Sequence, residues 1–229
     1  MSRLRSKQAA AAVAVRLIKP GMVVGLGTGS TAEQMMLSLS DRISRDGLSI
    51  VGVPTSEAIA ALAGDLGIPL AEDYPDFPTI DLTLDGADEV DPAGNLVKGG
   101  GGALLREKLV ALASRQVVIM VDESKHVEHL GSSFAIPVEI VPFGWTHTLS
   151  RLEGLGASCA LRLAEGQPYR TDGGNFIADC RFDSIEDPAA LQRTLKALPG
   201  VIESGLFCGI ARLVITGTDE GSTRSQTFE

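Results

Sequence analysis

The chain has 229 residues, 44% of them hydrophobic and only 4% aromatic, with a formal net charge of −9. That apolar share supports a full core and excludes a disordered chain, and the acidic balance argues against nucleic acid or an anionic membrane as the main partner. No apolar run is long enough to span a bilayer. Cys159, Cys180 and Cys208 are odd in number, far apart and without a C-x-x-C, which points to free thiols in a reducing, cytoplasmic setting and not to a disulfide framework or a thiolate zinc site.

The opening segment, MSRLRSKQAAAAVAVRLIKP, loosely imitates a secretory leader, but Arg16 interrupts its apolar run, and a helix stopped at Pro20-Gly21 is the expectation. A short buried strand over 22–26 runs into GLGTGST at 25–31, and a helix over 31–45 is closed by Gly47. Strand 48–53, helix 57–63, a short strand at 68–70 and a Pro-rich loop at 73–78 follow. Strand 80–84 opens into DGADE at 85–89, and residues 96–97 form a short extended piece before the glycines at 99–102. A helix over 103–114 precedes an apolar strand over 116–121. Strands alternating with helices predict a Rossmann-like α/β domain with a mainly parallel sheet. Such sheets bind ligands at the carboxyl ends of their strands. GTGST, DGADE and KGGGG each follow a strand, so all three are expected on one edge.

Beyond Gly131 the rhythm changes. Strand 134–141, helix 145–153, strand 157–163, a turn at 172–175, strand 176–182, helix 188–197 and strand 201–206 make the βαββαβ order of a ferredoxin-like α+β unit. A last strand at 211–216 returns to the first sheet, and the polar tail from Asp219 is expected to fray. The expected organisation is an α/β domain over 1–130 plus 207–229, with an inserted, smaller ferredoxin-like domain over 131–206.

The stretch KGGGGALLREK at 98–108 holds the densest chemistry. Lys98 precedes four consecutive glycines and then a run of helix formers. Bare backbone suits close approach to a ligand, and the helix behind it aims free N–H groups and partial positive charge at the same place. Leu105, Leu109 and Leu112 fall at helical spacing and are expected to face the core, which sets Glu107 roughly 200° around the helix from Leu105, off the apolar stripe. Taken alone, the stretch reads equally well as a Gly-rich loop beside a surface glutamate. In GLGTGST, Gly25 and Gly27 fit G-x-G-x-x-G, but Ser30 stands at the third glycine's place and no well-placed acidic residue follows the second strand. A P-loop is excluded because no G-K-[ST] follows. Thr28, Ser30 and Thr31 bring hydroxyls to a helix N-terminus, as a phosphate site needs, or form a capped turn.

Asp85 and Asp88 are candidates for acid/base work or a solvated acidic turn; their spacing does not fit a calcium loop. His126 and His129 form H-x-x-H, with His147 further on, but no carboxylate-rich partner motif follows and they read as surface histidines. Lys125, in DESK after strand 116–121, and Lys7, early in the first helix, can each meet an anion or stay an ordinary exposed lysine. Together the loops offer an anion cradle, a lysine, two aspartates and a helix-borne glutamate, without metal ligands or a reactive cysteine. That set suits proton transfer next to a carbonyl on a phosphorylated small molecule.

GLGTGST, DGADE and KGGGGALLREK, in this order and spacing, resemble the ribose-5-phosphate isomerases of the A type. The likeness continues through IPVEIVPFG at 136–144, TDGGN at 171–175 and LPGVIESGLF at 198–207. The resemblance implies an aldose–ketose isomerase of the pentose phosphate pathway that interconverts ribose 5-phosphate and ribulose 5-phosphate through an enediolate. It implies Glu107 as general base, and Asp85 as a residue that helps open the sugar ring. Gly86, Ala87 and Asp88 complete that substrate-binding segment. Lys98, with N–H groups of Gly99, Gly100 and Gly101, is implied to stabilise the oxyanion. Thr28, Gly29, Ser30 and Thr31 match the substrate-binding turn, Lys125 a further substrate contact, and Lys7 a phosphate-binding lysine. No cofactor, no metal, and a homodimer or larger homo-oligomer are implied as well. A fourth glycine, Gly102, stands where relatives often carry alanine. The alternatives are a nicotinamide-dependent oxidoreductase, disfavoured by the broken fingerprint, and a sugar-phosphate sensor, for whose DNA-binding module the chain has no room. Amino-sugar phosphate deaminases, lactonases and CoA-transferases stand as analogies of fold alone.

Overall fold

The structure, a computed structural model, describes residues 2–71 and 77–228. Most of the expected Pro-rich loop, residues 73–76, lies outside the described residues. The chain forms two compact units, one of Met1–Ala87, Arg106–Lys125 and Ile210–Glu229, the other of Asp88–Leu105 and His126–Gly209. This differs from the expected division at 1–130 plus 207–229 and 131–206, because the segment 88–105 belongs with the second unit. The physical reason is strand pairing. Glu89–Val90 pairs antiparallel with Leu96–Val97, which in turn pairs with Leu206–Phe207.

In the first unit a six-stranded sheet runs in the order Thr223–Thr227, Leu213–Gly217, Val117–Asp122, Leu82–Gly86, Val23–Leu26 and Val51–Pro54. Neighbours are parallel except for the first pair, Thr223–Thr227 with Leu213–Gly217, which is antiparallel. The strands Leu82–Gly86 and Val117–Asp122 are buried along their whole length, as parallel strands covered on both faces must be. The helix Ser2–Val15 buries Ala10, Ala11 and Ala14, and small side chains let it lie close to the sheet. A Cβ at Gly217 would stand 1.9 Å from the carbonyl oxygen of Ser6. The helix Ser30–Asp46 buries Ala32, Met35, Met36 and Leu39 and is closed by Gly47 in the left-handed conformation, as expected. Ser56 caps the helix Glu57–Asp65 by accepting the N–H of Ile59. Leu70 contributes only an isolated bridge to Gly52, so the strand expected at 68–70 shrinks to one residue.

The tail does not fray as expected. Thr223–Thr227 pairs with Leu213–Gly217 along its full length. An edge strand whose five side chains are all exposed has nothing to bury, so no apolar alternation announced it.

In the second unit a four-stranded antiparallel sheet has the order Val201–Ser204, Ile136–Ile140, Phe176–Phe182 and Ala157–Leu161, with helices Trp145–Glu153 and Pro188–Lys196 completing it. Fourth strand, first, third, second: this is the ferredoxin-like order expected from βαββαβ. Val138, Ile140, Leu152, Ala178 and Leu195 form its core. Cys159 and Cys180, distant in sequence, sit directly opposite each other on paired strands, with Sγ atoms 2.7 Å apart, as free thiols. Among the described residues no helix is long and apolar enough to cross a membrane.

Candidate active site

Val23–Leu26, Leu82–Gly86 and Val117–Asp122 are parallel neighbours, so the loops that follow them leave one edge of the first unit's sheet. Those loops are GTGST, DGADE and DESK. The glycine run is not among them. It follows Leu96–Val97 in a three-stranded sheet of the second unit, which corrects the expectation of three loops on one edge.

Within the first unit the buried carboxylate of Asp85 lies at the end of its strand. Its Oδ1 accepts the N–H of Thr28 at 3.1 Å and that of Gly86 at 2.7 Å. A Cβ on Gly27 would stand 2.1 Å from that oxygen. Gly27 thus lays backbone against a carboxylate, while Gly25 makes room for Thr83, whose Oγ1 would stand 1.9 Å from a Cβ there. The Thr28 hydroxyl lies 2.7 Å from Thr55 Oγ1 and donates to Ser56 Oγ at 3.0 Å, while Thr55 donates to Leu26 O at 2.9 Å. Thr55 and Ser56 were not singled out from sequence. The available signal was a Pro-Thr-Ser step from the adjacent strand into a helix. Gly29 stands before the helix at φ 103°, and Lys7 Nζ donates to Ser30 Oγ at 2.8 Å. An ammonium and a hydroxyl meet at the helix N-terminus, a favourable setting for a phosphate. Thr31 packs near Gly86. Lys125 ends the short 3-10 turn Glu123–Lys125 and is half-buried.

The helix Leu104–Leu112 overturns the stripe expected for it. Its buried residues are Leu104, Glu107, Lys108, Val110 and Ala111, with Glu107 and Lys108 each only 4% exposed. Leu109 and Leu112 are 51% and 67% exposed, and Leu105 is half-buried. Taking charges out of water costs several kcal/mol per ion, so a helix that buries Glu107 and Lys108 while exposing Leu109 and Leu112 is not built for stability alone. Glu107 lies in the first turn, where the helix dipole favours a carboxylate.

Within the second unit Lys98 is buried, with Nζ 5.6 Å from the ring centroid of Phe207 and its backbone N–H on Gly205 O at 2.8 Å. Asp88 Oδ2 accepts the N–H of Gly100 at 2.8 Å. Ala87 and Asp88 stand where the chain passes from the first unit to the second. Gly102 has φ 82°, and a Cβ there would fall 2.2 Å from the hydroxyl oxygen of Tyr169, so the fourth glycine makes room for an aromatic ring. Burial raises the pKa of that tyrosine. Arg162, unremarked in the sequence, donates to the carbonyls of Gly99 and Gly100 at 2.8 and 3.1 Å. Glu89 is fully buried and takes the N–H groups of Gly131, Ser133 and Phe134 and the Ser133 hydroxyl, which makes it an anchor for that loop. His126 lies at an isolated bridge to Val90, off any helix, while His129 and His147 are exposed. Among the described residues no group of three or more His, Cys, Asp or Glu could hold a metal ion.

The family model for ribose 5-phosphate isomerase A (phosphoriboisomerase A) matches residues 51–221. A ribose-5-phosphate isomerase A from Synechococcus sp. (strain JA-3-3Ab) is 51% identical over 217 residues, covering 94% of each chain. One from Chloroflexus aurantiacus is 52% identical, covering 93% of this chain and 90% of its own. A D-ribose-5-phosphate isomerase solved in complex with phospho-erythronic acid superposes with a TM-score of 0.93 at 40% identity, covering 96% of this chain and 97% of that one. The enzyme from Methanocaldococcus jannaschii gives 0.91 at 38% identity with the same coverage. A match of this length and identity, together with an α/β sheet that carries a ferredoxin-like unit, means that the chain belongs to the ribose 5-phosphate isomerase A family.

Proposed function

We propose that the chain is an aldose–ketose isomerase that interconverts D-ribose 5-phosphate and D-ribulose 5-phosphate through an enediolate, with Glu107 as the general base. Asp85 assists ring opening. Glu107 then takes the proton from C2 of the open-chain aldose and delivers it to C1 while the hydroxyl proton on O2 passes to O1, and the reverse sequence runs from the ketose. Negative charge grows on the carbonyl oxygen as the proton leaves. Lys98 and the N–H groups of Gly99 and Gly101 meet that charge as fixed donors, which cost no reorganisation at the moment of reaction, whereas the Gly100 N–H is already taken by Asp88 Oδ2. Thr28, Gly29, Ser30 and Thr31 bind the substrate with Gly86, Ala87 and Asp88. Lys7 takes the phosphate, and Lys125 adds a further contact.

The observation that carries the reading is the family match along nearly the whole chain. Two features support the roles: Glu107 is buried on a helix that leaves Leu109 and Leu112 exposed, and Asp85 is pinned by the backbone of the hydroxyl-bearing turn. The same reading makes the enzyme a cytoplasmic homodimer or larger homo-oligomer that needs neither cofactor nor metal. A coupled assay with ribose 5-phosphate, run with and without a chelator, tests it. Turnover should be unchanged by the chelator. Absent turnover, or loss of activity on chelation that added metal restores, refutes the corresponding part. A fluorescence titration with NAD(P)H should show no binding; binding would favour the oxidoreductase.

A further inference from the structure

Arg162 stands just past the strand Ala157–Leu161 and takes no part in the roles above. Its guanidinium is forked onto Asp179, with Nε 2.9 Å from Oδ2 and Nη2 2.5 Å from Oδ1. The two side chains are 15% and 29% exposed, so solvent competes little for the pair. A bidentate fork fixes the plane of the guanidinium. The remaining corner, Nη1, donates to two successive carbonyls of the glycine run, Gly99 O at 2.8 Å and Gly100 O at 3.1 Å.

In a trans peptide the carbonyl and the N–H point to opposite sides. Holding the Gly99 carbonyl turns the Gly100 N–H away from Arg162, and that N–H is found on Asp88 Oδ2 at 2.8 Å. Holding the Gly100 carbonyl turns the Gly101 N–H away in the same manner. Tyr169 works from the same side as Arg162. Its hydroxyl donates to Gly101 O at 3.4 Å, and its ring centroid lies 6.0 Å from the guanidinium carbon. Three consecutive carbonyls are thus gathered by side chains along a backbone that, being all glycine, has little preference of its own.

We infer that Arg162, oriented by Asp179, is a positioning residue for the isomerisation. It holds the Gly99–Gly100 and Gly100–Gly101 peptides with their N–H groups turned from the guanidinium. The first of these N–H groups is kept on Asp88, and by drawing electron density into the Gly100 carbonyl Arg162 also strengthens the second, that of Gly101, as a donor to the enediolate oxygen. The inference rests on the reading of the glycine N–H groups as oxyanion donors.

The test uses full-length Arg162→Met, Arg162→Ala and Asp179→Asn beside wild type, assayed with ribose 5-phosphate. In Arg162→Met, kcat should fall roughly 10- to 100-fold, less than on outright loss of an oxyanion donor because the N–H groups are misaimed and not removed. KM should stay within about threefold, since the lost interaction belongs to the transition state. Asp179→Asn keeps the guanidinium but loosens its plane, and its kcat should lie between wild type and Arg162→Met. Free guanidinium ion should restore part of kcat to Arg162→Ala where ammonium does not, because only the planar cation spans carboxylate and carbonyls. Wild-type kcat in a folded Arg162→Met, a change confined to KM, or equal rescue by ammonium overturns the inference. Should Arg162→Met fail to fold, unchanged kcat in Asp179→Asn overturns it equally. Absence of turnover in wild type would defeat the isomerase reading itself and is read separately.

Discussion

Replacing Gly27 with alanine probes whether the first turn is laid against Asp85. The new Cβ would stand 2.1 Å from Asp85 Oδ1 and 2.5 Å from Asp85 Cα. A carboxylate can swing aside, but the Cα belongs to a strand paired on both sides. The turn must therefore lift by roughly 1 Å to reach ordinary contact in a close-packed interior. That shift carries the Thr28 N–H, now 3.1 Å from Oδ1, out of hydrogen-bonding range. Losing an N–H bond to a carboxylate costs about 1.5–3 kcal/mol, and overpacking adds about 1–3 kcal/mol. Because lifting the turn relieves part of the second cost, the net loss should be about 3–4 kcal/mol. Gly64→Ala is the matched control. It lies in the helix Glu57–Asp65, exposed, with nothing within 4 Å of its Cβ position, so the same methyl should stabilise by about 0.4–1 kcal/mol. Urea denaturation followed by circular dichroism measures both, and the initial rate of ketose formation reports whether Asp85 still works. A Gly27→Ala protein as stable as wild type, with wild-type turnover, would refute the reasoning.

Glu107→Gln should lower kcat by roughly 10²–10⁴ while ribose 5-phosphate still binds, as calorimetry and the coupled assay can show; near wild-type turnover removes Glu107 from the role of base. Glu89→Gln replaces an acceptor oxygen with a donor facing backbone N–H groups and should cost about 2–4 kcal/mol in urea denaturation; an unchanged midpoint would mean that the loop from Gly131 is held by other means. At Cys159 the hydrogen bond shared with Cys180 holds the thiol below its ordinary pKa, whereas the same contact and burial push Cys180 up. Near neutral pH iodoacetamide should therefore modify Cys159 first and reach Cys180 only on unfolding, and equal labelling of the two in peptide mass spectrometry would contradict this.

The α/β alternation, the ferredoxin-like order and most helix ends were legible because they rest on local signals: apolar runs, Gly47 after a helix, Pro188 at the start of one. What stayed hidden depends on pairing across long sequence separations. The strands Glu89–Val90 and Leu96–Val97 are two residues each, too short for a period, and their partner Leu206–Phe207 lies far along the chain. Cys159 and Cys180 face each other through a register that no tight turn fixes. In the candidate site, the motifs GTGST, DGADE and KGGGG located the chemistry, but the inward face of the helix Leu104–Leu112 was misassigned. A leucine stripe at helical spacing outweighed Glu107 and Lys108, and the rule that apolar residues go inside failed where charge was being held. Arg162, Asp179 and Tyr169 carry no motif. Their connection to the glycine run exists only once the second unit has folded.

The polar strand Thr223–Thr227 acts as a guard rail. Beside it, Leu213–Gly217 is an apolar strand of the kind that recruits other molecules when its backbone groups are left open. At the opposite side of the sheet, Gly52 donates to Pro69 and accepts from Ala71, so that border is dressed as well. Stripping residues 223–228 should leave the chemistry intact and the solution behaviour spoiled, with concentration-dependent clumping visible by light scattering before any fall in turnover per folded molecule.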